Sequence, residues 1–187
     1  MLQYYQFFGF VETRIVPDRS VDIQSRWQKL RYNSFDNPAV PTFARGSHGG
    51  EAFIAHAALP CVKVDPILIK QLLLIIDCPQ AFSACEYRTK GMTILFIVSY
   101  LWSGGEGLSS RNWLILQQLI CLIKVYGIPF HWWSDFNNSP LAIADSGILS
   151  LAKGVITVPD GCESTAKWSG IIDFAIHSVC LQPAIGP

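Results

Sequence analysis

The sequence has little charge and no excess of either sign. Its 14 Lys and Arg residues balance 14 Asp and Glu residues, and charged residues make up only 15% of the 187-residue chain, whereas 50% of it is hydrophobic. A chain of this composition collapses, which excludes an intrinsically disordered protein. It also has no overall basic field to gather nucleic acid through counterion release, so any contact with nucleic acid has to be local.

Long hydrophobic runs are also missing. The longest apolar stretches, 66–76, 92–102 and 113–123, are much shorter than the roughly 18 to 20 residues that span a bilayer. We expect no membrane partner and interpret the first two stretches as buried strands and the third as a helix. Residues 1–11 are aromatic and carry no positive charge, unlike a secretory leader, so we expect an intracellular protein in an undefined compartment.

The cysteines form no recognisable metal or redox motif. They lie far apart, without a Cys-x-x-Cys pair or the Cys/His spacing of a zinc site. We therefore expect scattered buried thiols at Cys61, Cys78, Cys85, Cys121, Cys162 and Cys180.

The order of apolar segments predicts a single layered α/β or α+β domain over residues 1–187. One helix is expected over 20–31 with Ser20 as N-cap, and a second from the Ser109 cap to about Tyr126, where Gly127 ends it. Residues 33–50 contain two prolines and a glycine-rich run, which favours a loop. Strands are expected at 2–11, 51–57, 82–87, 92–102, 129–133, 154–158 and 170–178.

Short segments along the chain resemble, in order, the motifs of the endonuclease/exonuclease/phosphatase superfamily. They are Val11-Glu12-Thr13, Gly49-Gly50-Glu51-Ala52, Ser99-Tyr100-Leu101, Asp135-Phe136-Asn137 and Ile172-Asp173-Phe174 with the later Ser178. Their order and spacing carry the resemblance, which covers most of the chain. Within the group that includes exonuclease III and the apurinic/apyrimidinic endonucleases, the Tyr-Leu-Trp and Asp-Phe-Asn contexts look most like the endonuclease domains of non-LTR retroelements.

The resemblance implies a DNase I-like fold, a four-layered or partial β-sandwich with flanking helices. It also implies hydrolysis of a phosphodiester in nucleic acid, or of a small phosphoester, with Mg²⁺ or Mn²⁺ as cofactor. Glu12 would bind the metal, Asp135 would hold or deprotonate the attacking water, and Tyr100 would add a phenolic donor. Asn137 would donate to the phosphate, and Asp173 would orient a catalytic histidine.

Each of these residues also has an ordinary structural interpretation. Glu12 could be an exposed carboxylate at a strand end, and Asp135 and Asn137 could be turn residues. Tyr100 could be a half-buried strand aromatic. Other polar groups are interpreted as surface or packing residues, namely Arg111, His48, His56 and His131.

The sequence departs from the family pattern at both ends, which implies a truncated, incomplete fold. Only 11 residues precede Glu12, where the family has a further strand bearing an Asn, and no Ser-Asp-His motif follows Asp173. His177 would not replace that histidine, because it lies roughly 13 Å along the same strand at about 3.3 Å per residue. Trp133 and Ser134 stand where the family has glycine, and we expect them to crowd the phosphate.

These departures predict impaired activity, because an acid/base histidine typically contributes a factor of about 10² to 10⁴ in rate. Two functions stay open: a residual metal-dependent nuclease, or a catalytically silent domain of the same fold that acts as a binding module. The oligomeric state stays open as well.

Overall fold

The structure is a computed structural model that describes residues 6–41, 47–76, 78–103, 108–161, 163–165 and 170–185. Its helices are α1 Pro17–Lys29, α2 Pro66–Ile75, α3 Ser110–Tyr126, α4 Pro140–Asp145, α5 Ile148–Ala152 and α6 Gln182–Ile185. Its strands are β1 Phe7–Phe10, β2 Tyr32–Asn37, β3 Val40–Pro41, β4 Ser47–His48, β5 Glu51–His56, β6 Cys61–Lys63, β7 Phe82–Arg88, β8 Thr93–Tyr100, β9 Phe130–Asp135, β10 Gly154–Thr157 and β11 Asp173–Ser178. None of these helices has both the length and the apolarity to cross a bilayer.

Two sheets pack face to face, and helices lie on their outer sides. The larger sheet has the strand order β10-β11-β9-β8-β7-β6 and is antiparallel except for the parallel pair β8 and β9. The smaller sheet has the order β1-β5-β2 and is antiparallel. Helix α1 contacts β2, and buried residues of α2 to α5 join the core on the far side of the larger sheet. The resulting layers confirm the predicted α/β sandwich with flanking helices.

Aromatic side chains fill the space between the two sheets. Phe53 of the smaller sheet stacks on Phe96 of the larger sheet with ring centroids 5.4 Å apart. Trp133 stacks on both rings, at 5.8 Å from Phe53 and 5.2 Å from Phe96. Such rings bury much apolar area and fix the relative position of the sheets.

Local signals predicted helix α3 correctly. The Ser109 hydroxyl accepts a hydrogen bond from the Asn112 backbone N–H at 3.2 Å, and Gly127 ends the helix in the left-handed conformation with φ of 60°. These are an ordinary N-cap and C-cap, whose residue preferences are strong enough to be recognised in a sequence.

Helix α2 was wrongly predicted as a buried strand. Its apolar stretch begins with Pro66 at the first helical position, and the Asp65 carboxylate caps it by accepting from the Ile67 backbone N–H at 2.8 Å. A periodicity argument cannot separate a short apolar helix from a buried strand, so the cap was the stronger signal.

The N-terminal region differs from the prediction in two places. Helix α1 begins at Pro17, and Ser20 is not its cap, because the Ser20 hydroxyl is buried and donates to Asp36. The expected loop over 33–50 instead contains most of strand β2, which pairs with β5 along its whole length. Tertiary pairing here overrides the loop-forming composition.

The five cysteines within the described residues are free thiols, and Cys162 lies outside those residues. Cys78 and Cys85 are buried as expected, but Cys180 is exposed after the end of β11. The expectation of buried thiols is therefore wrong for Cys180.

Candidate active site

Strand register brings three of the predicted residues to one end of the larger sheet. Tyr100, the last residue of β8, pairs with Asp135, the last residue of β9, and Asp135 pairs with Asp173, the first residue of β11. Directly paired residues place their side chains on the same face of a sheet. Asp135 is thus a strand residue, not the loop residue expected from the sequence.

Glu12 reaches this end of the sheet from the smaller sheet. It follows β1, is exposed, and has a positive φ of 49°. The chain after Glu12 is held by two backbone hydrogen bonds, from Thr13 N–H to Gly50 C=O at 2.9 Å and from Arg14 N–H to Gly49 C=O at 3.1 Å.

The glycine pair allows this close approach. Gly50 has a φ of 88°, and a Cβ atom on it would lie 2.5 Å from the Thr13 hydroxyl oxygen and 3.1 Å from the Ala39 backbone nitrogen. A side chain at this position would displace the segment that carries Glu12. The Gly-Gly motif therefore positions the candidate metal ligand indirectly.

Asn137 holds Asp135 and the neighbouring strand end. Its backbone N–H donates to Asp135 Oδ1 at 3.0 Å, and its side-chain Nδ2 donates to the Leu101 carbonyl at 2.6 Å. Asn137 lies beyond β9 with a φ of 47°, so it does not continue the strand that carries Asp135. One Nδ2 hydrogen is left for another acceptor.

Neighbouring carboxylates influence Asp135 and Tyr100. Burial, followed by the negative charges of Asp173 and Glu12, raises the pKa of Asp135 to about 6, and the Asn137 backbone N–H acts in the opposite direction. Burial chiefly raises the pKa of Tyr100, the Ser103 hydrogen bond lowers it, and the Glu12 and Asp135 charges add to the increase. Glu12, Tyr100 and Asp173 therefore all lie within electrostatic range of Asp135, and the Tyr100 phenol stays protonated at neutral pH.

Ser134 is buried, and Trp133 is half-buried between the two sheets. The ring of Trp133 lies between the two sheets, and the Ser134 hydroxyl is buried, donating to the Ser99 carbonyl at 2.9 Å. The Ser99 hydroxyl in turn accepts the Trp132 indole N–H at 2.7 Å. The Ser134 hydroxyl turns to the neighbouring strand, but Trp133 and Ser134 both lie next to Asp135, so the crowding of a phosphate expected from them stays a prediction.

The histidine side chains that the structure describes lie away from the Asp135 end of the sheet. His131 and His177 are buried cross-strand partners whose rings stack with centroids 5.8 Å apart, and His177 Nε2 bonds with the Thr157 hydroxyl at 2.7 Å. His131 is four residues from Asp135 on the same strand, roughly 13 Å at about 3.3 Å per residue. His56 is at the far end of β5, where Nδ1 accepts from the Ala58 N–H at 3.3 Å. The packing role predicted for His131 is confirmed.

The carboxylates fit one hydrated cation better than a cage of protein ligands. Within the described ranges no three His, Cys, Asp or Glu side chains lie close enough to hold a metal together. Within the same described ranges the ion pair is that of Arg88 with Glu86. No described Lys or Arg therefore forms an ion pair with Glu12, Asp135 or Asp173. Mg²⁺ usually keeps several waters and needs only one or two carboxylates, so uncompensated negative charge of this kind suits it.

A groove gives access to this end of the sheet. Its volume is about 530 Å³, and it runs between the facing sheets, lined by Asp135 and Asp173 together with Val11, Trp133 and Phe174. A second, smaller cavity lies beside Tyr100, with Glu51, Trp102 and Arg111 in its wall.

Solved structures share this fold at low sequence identity. The human Nocturnin catalytic domain with bound sulfate matches with a TM-score of 0.60 and 13% identity, over 93% of this chain and 69% of that chain. An endonuclease/exonuclease/phosphatase family protein from Bacteroides thetaiotaomicron matches with a TM-score of 0.60 and 13% identity, over 96% of this chain and 72% of that chain. The endonuclease domain of TRAS1, a telomere-specific non-LTR retrotransposon, matches with a TM-score of 0.58 and 10% identity, over 94% of this chain and 86% of that chain.

These likenesses show that the chain shares the fold of these proteins, which confirms the DNase I-like fold implied by the motifs. The sequence itself matches no family model and no curated protein. A fold by itself does not define an activity, so the function has to be argued from the site.

Two further groups lie beside the site. Arg111 is exposed, in agreement with its interpretation as a surface residue, and its guanidinium lies over the Trp102 ring at 3.5 Å from the ring centroid. Glu51 entered only as part of the Gly-Gly motif, yet its side chain is 1% exposed. The available signal for Glu51 was a carboxylate at the start of an otherwise apolar strand.

Proposed function

We propose that this protein is a phosphoester hydrolase that acts on nucleic acid or a small phosphoester and uses a Mg²⁺ or Mn²⁺ ion held by Glu12. The observation that carries the proposal is the meeting of Glu12, Tyr100 and Asp135 at one sheet end, close enough for the Glu12 charge to raise the pKa of both Tyr100 and Asp135. A bound divalent cation would supply Lewis-acid stabilisation of the charge that develops on the phosphate oxygens.

The protein groups can carry the remaining steps. Asp135 has a pKa of about 6, near neutral pH, which suits a general base that holds and deprotonates the attacking water. Tyr100, kept protonated by its raised pKa, would donate a hydrogen bond to a phosphate oxygen. The second Nδ2 hydrogen of Asn137 would add another donor, and Asp173 keeps Asp135 basic through its charge.

The hydrolysis we propose is slow. Asp173 has no histidine partner among the described side chains, and the described histidines are bonded or stacked elsewhere. Loss of an acid/base group typically costs a factor of about 10² to 10⁴. The same observation favours the second candidate function, a binding module for phosphoesters with no measurable turnover.

The test is the response of the purified chain to metal and to substrate. Millimolar Mg²⁺ or Mn²⁺ should raise the melting temperature, because a ligand that binds only the native state stabilises it. Glu12→Gln should abolish this shift, while the control Asp145→Asn, an exposed carboxylate at the end of α4, should keep it.

Single-turnover cleavage of DNA, RNA and a small phosphodiester completes the test. Slow metal-dependent cleavage that Asp135→Asn removes supports the hydrolase, and metal-dependent binding without cleavage supports the binding module. Rapid multiple turnover that neither Glu12→Gln nor Asp135→Asn changes would contradict the site.

A further inference from the structure

Strand register builds the floor of the groove at the acidic sheet end in rows. Asp135 of β9 pairs with Asp173 of β11, and two residues further along Trp133 pairs with Ala175. Thr157 of β10 continues the second row, because it pairs with Ala175. The two rows are roughly 7 Å apart at about 3.3 Å per residue, and all of these residues line the groove. A ligand bound at the two aspartates therefore reaches the second row with its neighbouring group.

The second row and the wall that faces it are largely apolar. The facing wall comes from the smaller sheet, where Phe7, Gly9 and Val11 alternate along the chain and so share one face. Ala175 has a small side chain, which leaves space in the floor beside Trp133. With a volume of about 530 Å³, the groove has the size of a small-molecule site.

The polar side chains of the groove beyond the aspartates carry no charge. The Thr157 hydroxyl bonds with His177 Nε2 at 2.7 Å, and the Ser134 hydroxyl donates to the Ser99 carbonyl at 2.9 Å. Burial, together with the charge of His177, lowers the pKa of His131 to about 4, so its ring is neutral at pH 7. A charged ligand group seated here would lose its hydration without meeting an opposite charge.

The charges that the groove does have are negative. Among its described lining residues the charged side chains at neutral pH are Asp135 and Asp173. A nucleic-acid strand brings several phosphates, and its binding depends on Lys and Arg side chains that neutralise them. Additional phosphates along this groove would meet carboxylates instead, whereas a single phosphate can be neutralised by the cation proposed at Glu12.

We propose that the substrate is a phosphodiester with a single phosphate and one compact apolar ester group, which lies in the groove against Ala175 and Trp133. The phosphate then lies at the end that carries Glu12 and Asp135. The inference rests on the proposed phosphoester hydrolase and selects its substrate class, a small apolar phosphoester in place of a nucleic acid. In the reaction water adds across one P–O bond: its oxygen goes to phosphorus and its proton to the oxygen of the leaving alcohol. Burial of the apolar group supplies the binding free energy.

The probes for the test are three phosphodiesters that each carry one negative charge. They are benzyl methyl phosphate, dimethyl phosphate and dithymidine monophosphate, and their affinities are measured by isothermal titration calorimetry in millimolar Mg²⁺. The wild type should bind benzyl methyl phosphate at least about tenfold more tightly than dimethyl phosphate, because each buried methylene contributes about fourfold. It should also bind benzyl methyl phosphate more tightly than dithymidine monophosphate.

Two groove variants and two matched controls locate the apolar contact. Ala175→Leu fills the groove and should reduce the preference for the benzyl ester to less than about threefold. Val158→Asn, at an exposed lining position that requires no repacking of the interior, should reduce it several-fold. The controls Ala144→Leu in α4 and Val125→Asn at the end of α3 lie outside the groove lining and should keep the preference.

A metal-free measurement separates the groove from the proposed function. Benzyl alcohol, followed by NMR titration without divalent metal, should bind saturably to the wild type and to Glu12→Gln, whereas glycerol should not bind. Ala175→Leu and Val158→Asn should each weaken the binding of benzyl alcohol. This result supports the groove assignment even if Mg²⁺ does not bind and no phosphodiester is cleaved, in which case the hydrolase proposal alone fails.

The opposite outcomes overturn the inference. With Mg²⁺ bound, equal affinity for benzyl methyl phosphate and dimethyl phosphate excludes an apolar ester site. Tighter binding of dithymidine monophosphate than of the benzyl ester shows that the substrate is a nucleic acid. Benzyl alcohol that does not bind, or that binds both groove variants as tightly as the wild type, overturns the groove assignment whether or not the protein is a hydrolase.

Discussion

Replacing Glu51 by Gln should stabilise the protein at neutral and alkaline pH and have little effect in acid. Burial raises the pKa of Glu51 from its usual 4.5 to about 7, while the hydrogen bond from Asn37 lowers it. The native state therefore binds this proton more tightly than the unfolded state. The resulting stability is complete below the unfolded pKa and is lost as the pH rises towards 7.

The magnitude follows from the size of the shift. A difference of about 2.5 pKa units corresponds to about 3 kcal/mol, at about 1.4 kcal/mol per unit. Because Gln stays neutral and can still accept from Asn37, the variant avoids this loss. Its free energy of unfolding should equal that of the wild type near pH 4.5 and exceed it by up to about 3 kcal/mol above pH 7.5.

Urea denaturation followed by tryptophan fluorescence, repeated across this pH range, measures the difference directly. Other groups titrate in the same range, including Asp135 and His131, but they are common to both proteins and cancel. Glu86→Gln, at a carboxylate that is paired with Arg88, serves as the matched control. Parallel stability curves for the wild type and Glu51→Gln would refute the reasoning.

Two further predictions concern the glycine turn and the histidine pair. Gly50→Ala should destabilise the fold by about 1 to 3 kcal/mol and abolish the metal-induced melting shift, because the new Cβ collides with Thr13. The control Gly91→Ala, whose Cβ would have no atom within 4 Å, should change neither the stability nor the melting shift. Burial and the charge of His177 lower the pKa of His131 to about 4, so its contribution is present above about pH 6.5 and is lost as the pH falls through 4. Between pH 7 and 4 the free energy of unfolding of His131→Phe should therefore fall less than that of the wild type, by up to about 3 kcal/mol as measured by urea denaturation. An equal fall in the two proteins would contradict a buried neutral imidazole.

The elements that the sequence predicted well are those with strong local signals. Helix α3 has a serine cap at its start and a glycine at its end, and the long apolar strand β8 is bounded by a polar turn before Thr93. The failures were α2 and β2, where the deciding factors were the Asp65 cap and pairing with β5. For α2 a local cap was overlooked, whereas for β2 pairing with a distant strand outweighed the local preference for a loop.

The candidate site divides in the same way. Motif order was enough to select Glu12, Tyr100, Asp135, Asn137 and Asp173, because short residue patterns at strand ends are visible in a sequence. It was not enough to show the Asn137 amide bonded to the Leu101 carbonyl. That contact joins the ends of two strands separated by a helix.

The sequence by itself determined the layered α/β architecture, the caps of α3 and the chemical identity of the acidic and aromatic residues at the strand ends. Only the tertiary structure decided the environment of those residues. It buries the carboxylate of Glu51 and places Asp135 beside other negative charges. The physical reason is that burial and pKa depend on the distances to groups from other strands and helices. Those distances are set by strand register and by the packing of the two sheets, neither of which a local segment of the chain contains.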